Sequence, residues 1–127
     1  MIWHILFGVF LILHGLVHLL YLLHSKRVFQ LPDLNWPDDS KIFKQVISTK
    51  ARRMLAVILL GISCLGFVIG GIGTLLNFFW VNDWLRASIV ISSFVFLIFW
   101  DGSGKKLDQQ GLIALLINLG ILIVLTL

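Results

Sequence analysis

From Ile2 to Leu23 the chain runs without an aspartate, glutamate, lysine or arginine, and from Met54 to Leu76 it does so again. A stretch of about 20 such residues is long enough to cross the hydrocarbon core of a bilayer. Backbone groups inside lipid must bond within their own segment, so each run is expected to be a helix. Two further runs extend the pattern. Trp84–Trp100 is bracketed by tryptophans, which favour membrane interfaces, and Asp108–Leu127 reaches spanning length if Asp108 caps its start. Composition agrees: 59% of the residues are hydrophobic, against about 45–50% in soluble domains. The first run has no basic leader region and no small-residue cleavage site after it, so it reads as a permanent span.

The expectation is therefore an all-α membrane protein with one domain, residues 1–127. It would be a four-transmembrane-helix bundle with spans at about 2–23, 54–76, 84–100 and 108–127 and a cytoplasmic loop at 24–53. Basic residues set the orientation. Lys26, Arg27, Lys41, Lys44, Lys50, Arg52 and Arg53 lie in the first connection and Lys105 and Lys106 in the third, while Arg86 alone lies elsewhere. The positive-inside bias then puts both loops in the cytoplasm and both termini outside. This placement, with a net charge of +4, suits a membrane surface and excludes nucleic acid as a partner. In the first loop, Pro32 and Pro37 break helix. The following "SKIFKQVIS" has Ile42, Phe43, Val46 and Ile47 on one helical face, so a short amphipathic helix capped by Asp39 or Ser40 is expected. Such a helix lies on anionic lipid headgroups or docks a membrane-protein partner.

All four histidines fall on the first span or its edge. At 100° per residue, His4, His14 and His18 share a face with Gly8, Gly15 and Tyr21, and His24 falls on the opposite side among headgroups. An ionisable residue at bilayer depth is costly and turns toward other helices. His14 lies near the midplane, and so do Ser63 and Cys64 on the second span, Ser92 and Ser93 on the third and Asn118 on the fourth. A polar layer is expected across the bundle. Its plainest role is interhelical hydrogen bonding. The sharper reading uses the i, i+4 pair His14 and His18 to hold haem or a transition metal, with Cys64 as a further metal ligand. No carboxylate lies at that depth, and haem with two histidine ligands would need a homodimer, so no cofactor is favoured. A proton or small-ion path through an oligomer ranks third. The sole cysteine allows no intrachain disulfide.

Three features lie outside the layer. Gly66-x-x-x-Gly70, followed by Gly71 and Gly73, is a close-packing motif expected inside the bundle. Asp83 and Arg86 form a cap and a snorkelling base that pair with each other. Asp101 sits at a helix C-terminus, where the macrodipole disfavours an anion, and is expected to clamp the two basic loops or hold an ion or headgroup. No phosphate loop, nucleophile elbow or zinc-protease motif occurs, so catalysis is not expected.

"HGLVHLLYLL" on the first span and "WDGSGKKLDQQGLIALLINLGILI" toward the C-terminus resemble uncharacterised small bacterial four-span membrane proteins. That resemblance implies a bacterial inner (plasma) membrane location and no activity, cofactor or catalytic residue. The reading is a small polytopic accessory or scaffold subunit.

Overall fold

The computed structural model describes residues 1–29, 36–43, 45–104 and 111–127. Four helices follow in order: α1 (Ile2–Ser25), α2 (Thr49–Leu75), α3 (Val81–Ile98) and α4 (Leu112–Thr126). The first three contain 24, 27 and 18 residues and are long and apolar enough to cross a membrane. The fourth has 15 residues and rises only about 22 Å, against a hydrocarbon core of about 30 Å. The protein is thus an integral, helical membrane protein whose described residues form three long apolar helices, not four. Gly111 explains the difference. It sits before Leu112 at φ +99°, a left-handed conformation that glycine adopts freely and that a continuing right-handed helix does not contain. The expected cap, Asp108, lies outside the described residues, as do Lys105 and Lys106. The placement of both termini on one side rested on a fourth crossing and goes with it.

The amphipathic helix between the first two spans is also corrected. Residues 41–43 form turns, and Lys44 lies outside the described residues. Only a turn forms there: the Phe43 carbonyl accepts from the Val46 and Ile47 amides at 3.1 and 3.2 Å, and the surrounding backbone groups bond to more distant partners. The Arg52 guanidinium takes the carbonyls of Phe43 at 3.3 Å and Ile47 at 2.6 Å, and the Lys41 amide donates to the Trp100 carbonyl at 2.9 Å. Ser40 caps a turn and not a helix: its buried hydroxyl accepts from the Phe43 amide at 3.3 Å and donates to the Ile98 carbonyl at 2.6 Å. The first described cap after the loop is Ser48, whose Oγ accepts from the Ala51 amide and opens α2.

Consecutive helices pack on one another: α1 on α2, α2 on α3, α3 on α4. Glycines let α2 approach both neighbours. A Cβ at Gly71 would lie 2.7 Å from the Gly8 carbonyl on α1, and one at Gly15 would lie 3.0 Å from the Cys64 carbonyl on α2. On the other side, a Cβ at Gly66 would collide with Ser88 and one at Gly70 with Leu85, both on α3. The Trp84 indole closes this seam by donating to the Gly66 carbonyl at 2.8 Å. Lipid tails supply no hydrophobic drive between helices, so such backbone proximity and interhelical bonds carry the packing.

Two apolar clusters result. One gathers Tyr21, Trp36, Leu60, Phe96, Phe99 and Ala114 near the first loop. The other gathers Leu11, Phe67, Leu85, Ile89 and Ile121 further along the bundle. On each helix the two clusters leave a gap between them, and a polar residue fills it: His14 and His18, Ser63, Ser92, Asn118.

Candidate functional site: a buried histidine, asparagine and serine layer

His14 and His18 are one helical turn apart on α1, so both rings project to the same side, and both are buried. The His14 Nε2–H donates to Asn118 Oδ1 on α4 at 2.7 Å. The amide nitrogen of Asn118 donates in turn to Ser92 Oγ at 2.9 Å and Ser93 Oγ at 3.0 Å on α3. His18 Nδ1–H donates to the His14 carbonyl at 3.0 Å. In a neutral ring that leaves His18 Nε2 as the acceptor, and it lies 2.5 Å from Ser92 Oγ, which donates to it. The bonds therefore run in a circuit from the His14 ring through Asn118, Ser92 and His18 back to the His14 backbone.

One group is left over. His14 Nδ1 is buried and has no hydrogen-bond partner. Aromatic rings surround the pair. His14 is stacked with Phe10 at 6.3 Å and meets Phe67 edge-on at 4.6 Å, while His18 lies against Phe67 at 5.3 Å and Phe96 at 5.7 Å.

The ligand chemistry follows from these bonds. The two rings lie 5.0 Å apart at nearly a right angle, yet His18 has both nitrogens engaged and His14 has one. Cys64 does not complete a set with them: among the described residues no group of three His, Cys, Asp or Glu side chains could hold a metal ion. Ser63 stands at the level of the layer but donates to the Leu59 carbonyl of its own helix at 2.9 Å.

The remaining marked residues lie elsewhere. His4 is exposed, in a cleft of about 450 Å³ with Trp3, Phe7, Asn77 and Asn82. Arg86 donates to Asp83 at 3.0 Å on the surface. Asp101 Oδ1 accepts from the Ser103 amide and hydroxyl at 2.8 and 2.9 Å, which satisfies its anion within a local turn.

Sequence reasoning missed a second polar centre, at the loop end. Asp38 accepts from Arg27 Nη2 at 3.0 Å and from Arg53 through Nε at 2.9 Å and Nη2 at 2.5 Å. Arg27 also donates to His24 Nε2 and to the His24 and Trp36 carbonyls. His24 is consequently buried beneath the loop and not among headgroups. Burial pushes the Asp38 carboxyl up, but the hydrogen bond from Arg53 and the charges of Arg27 and Arg53 outweigh it and hold the group below its usual range. The signal was an acid next to prolines in a loop flanked by arginines at both helix ends.

The chain matches no protein-family model, no curated protein and no solved structure. The resemblance to four-span bacterial proteins is corrected accordingly: no family supports it, and the long apolar helices among the described residues number three.

Proposed function

We propose that this small helical membrane protein is a non-catalytic accessory or scaffold subunit of the bacterial inner membrane. The observation that carries the reading is the hydrogen-bond circuit of His14, Asn118, Ser92 and His18. Apart from His14 Nδ1, its side-chain polar groups are spent within the layer, joining α1, α3 and α4, where a catalytic centre needs them free for substrate. The short α4 adds support: Leu116, Leu119 and Ile123 stay exposed around it, an apolar flank suited to a neighbouring helix of another membrane protein or of a second copy.

One observation favours a second reading. The unpartnered His14 Nδ1 keeps a buried lone pair, which suits a haem iron, a transition metal or a proton. His14 and His18 would then be cofactor or ion ligands.

Purification from native membrane after mild crosslinking separates the two. The accessory reading expects a crosslinked membrane-protein partner, no Soret band and no stoichiometric zinc, copper or iron. A protein that isolates alone and carries haem or metal, lost in both His14→Ala and His18→Ala, overturns it in favour of the second.

A further inference from the structure

A cleft of about 630 Å³ opens where α1 ends and α2 begins. Lys26, Lys50 and Arg53 line its upper part, and Met54, Val57 and Ile58 form an apolar floor. Ser25 holds the two helix ends together by donating to the Arg53 carbonyl at 2.9 Å. The cations are available to a ligand. Lys26 and Lys50 are exposed and have no ion-pair partner among the described residues. Arg53 uses Nε and Nη2 on Asp38, which fixes the plane of its guanidinium and leaves Nη1 for another acceptor.

The floor decides what kind of anion fits. Ile58 lies about 12 Å further along the axis than Lys50, inside a helix long and apolar enough to span. The cleft therefore grades from three cations at the helix ends to bare hydrocarbon one to two turns deeper. A free phosphate would meet only the upper part. A phospholipid has the same gradation, an anionic headgroup above acyl chains, and juxtamembrane Lys and Arg attract such lipids.

We propose that this cleft is a binding site for one anionic phospholipid, with the phosphate among Lys26, Lys50 and Arg53 and an acyl chain against Met54, Val57 and Ile58. The site requires only that the chain is embedded in a membrane, so it stands or falls separately from the accessory role.

The test is native mass spectrometry of the full chain released from neutral detergent, with dioleoylphosphatidylglycerol, dioleoylphosphatidylcholine, glycerophosphoglycerol and inorganic phosphate as probes. One phosphatidylglycerol per chain should survive activation that strips phosphatidylcholine. Neither glycerophosphoglycerol, the same headgroup without acyl chains, nor phosphate should displace it at equal concentration. Lys26→Gln/Lys50→Gln should weaken binding about thirtyfold, from roughly fivefold per lysine at a membrane surface. Lys41→Gln/Arg86→Gln removes the same charge away from the cleft, beside Asp101 and Asp83 respectively, and should leave binding unchanged. Equal retention of the two lipids, displacement by either free anion, or equal losses in the two double variants would overturn the proposal. Lys26, Lys41, Lys50 and Arg86 are all exposed, and unchanged helical circular dichroism confirms that each variant is folded.

Discussion

Replacing Asn118 by leucine tests whether the polar layer holds the bundle together. Leucine is close to asparagine in breadth and fills the site, so no large cavity is expected. Three hydrogen bonds disappear: one from His14 and those to Ser92 and Ser93. At about 0.6 kcal/mol for an average interhelical bond, their loss costs about 1.8 kcal/mol. His14 then has neither ring nitrogen partnered, because Nδ1 is already alone, and a buried unsatisfied donor costs a further ~1–3 kcal/mol. Burying leucine in place of an amide returns part of this, which leaves a net destabilisation of about 2–4 kcal/mol. The assay is unfolding of the purified protein in mixed detergent micelles, followed by circular dichroism and tryptophan fluorescence. A double-mutant cycle with His14→Leu isolates the mechanism. Removing both partners leaves no orphaned nitrogen, so the double variant should be more stable than the sum of the single losses predicts, by about 1 kcal/mol or more. Additive losses, or an Asn118→Leu protein within about 0.5 kcal/mol of wild type, would refute the argument.

Other perturbations read other parts of the fold. Gly66→Leu drives a side chain into Ser88 on α3 and should cost about 1–3 kcal/mol or more by the same unfolding assay; a neutral result would mean that α2 and α3 do not meet there. Ser48→Ala removes the cap on Ala51 and should cost about 1 kcal/mol, with earlier amide exchange in the first turn of α2 as the local readout. Asp38 has a folded pKa below its unfolded one, so its contribution is fully present above about pH 4 and fades as pH falls through the lower folded value. Wild type should lose stability on acidification over that range. Asp38→Asn should be weaker at neutral pH and flatter below pH 4, and parallel profiles for the two proteins would contradict the assignment.

The helical wheel of the first span already places His14 and His18 on an inward face, and rise per residue puts Ser92 and Asn118 at the same depth. Both follow from helical geometry that lipid imposes on any spanning chain. Which hydroxyl Asn118 selects does not follow. Ser63 sits at the right depth, yet its hydroxyl turns back to Leu59, a local alternative open to any serine in a helix. Depth and face alone cannot distinguish the two outcomes. The missing fourth span and the missing amphipathic helix share a different cause. Hydrophobic periodicity says that a segment would be stable as a helix, whereas its actual state depends on partners far away in the chain. Gly111 stops α4 at a left-handed residue packed on Phe96, and the loop after Ser40 is held by bonds to Ile98, Trp100 and Arg52 on distant parts of the chain. Asp38 was hidden for the same reason, since one of its arginines lies in the turn after α1 and the other in α2.

The distribution of contacts gives the polar layer its meaning. Glycine seams join α2 to both of its long neighbours: backbones nearly touch between α1 and α2, and α3 side chains pack onto Gly66 and Gly70 of α2. No glycine within α4 makes such a seam: Gly120 would meet nothing if it carried a Cβ, and Gly111, which meets Phe96, lies before the helix begins. Its buried residues are Ala114, Asn118 and Ile121, one narrow stripe with a single polar member. In lipid an apolar stripe alone distinguishes poorly between one rotation of a helix and another, because every apolar face is equally well solvated. Asn118 removes that freedom, since only one rotation brings its amide to His14, Ser92 and Ser93 together. The layer thus fixes the register of the shortest helix, and through it the outward direction of Leu116, Leu119 and Ile123, the flank on which the accessory reading depends.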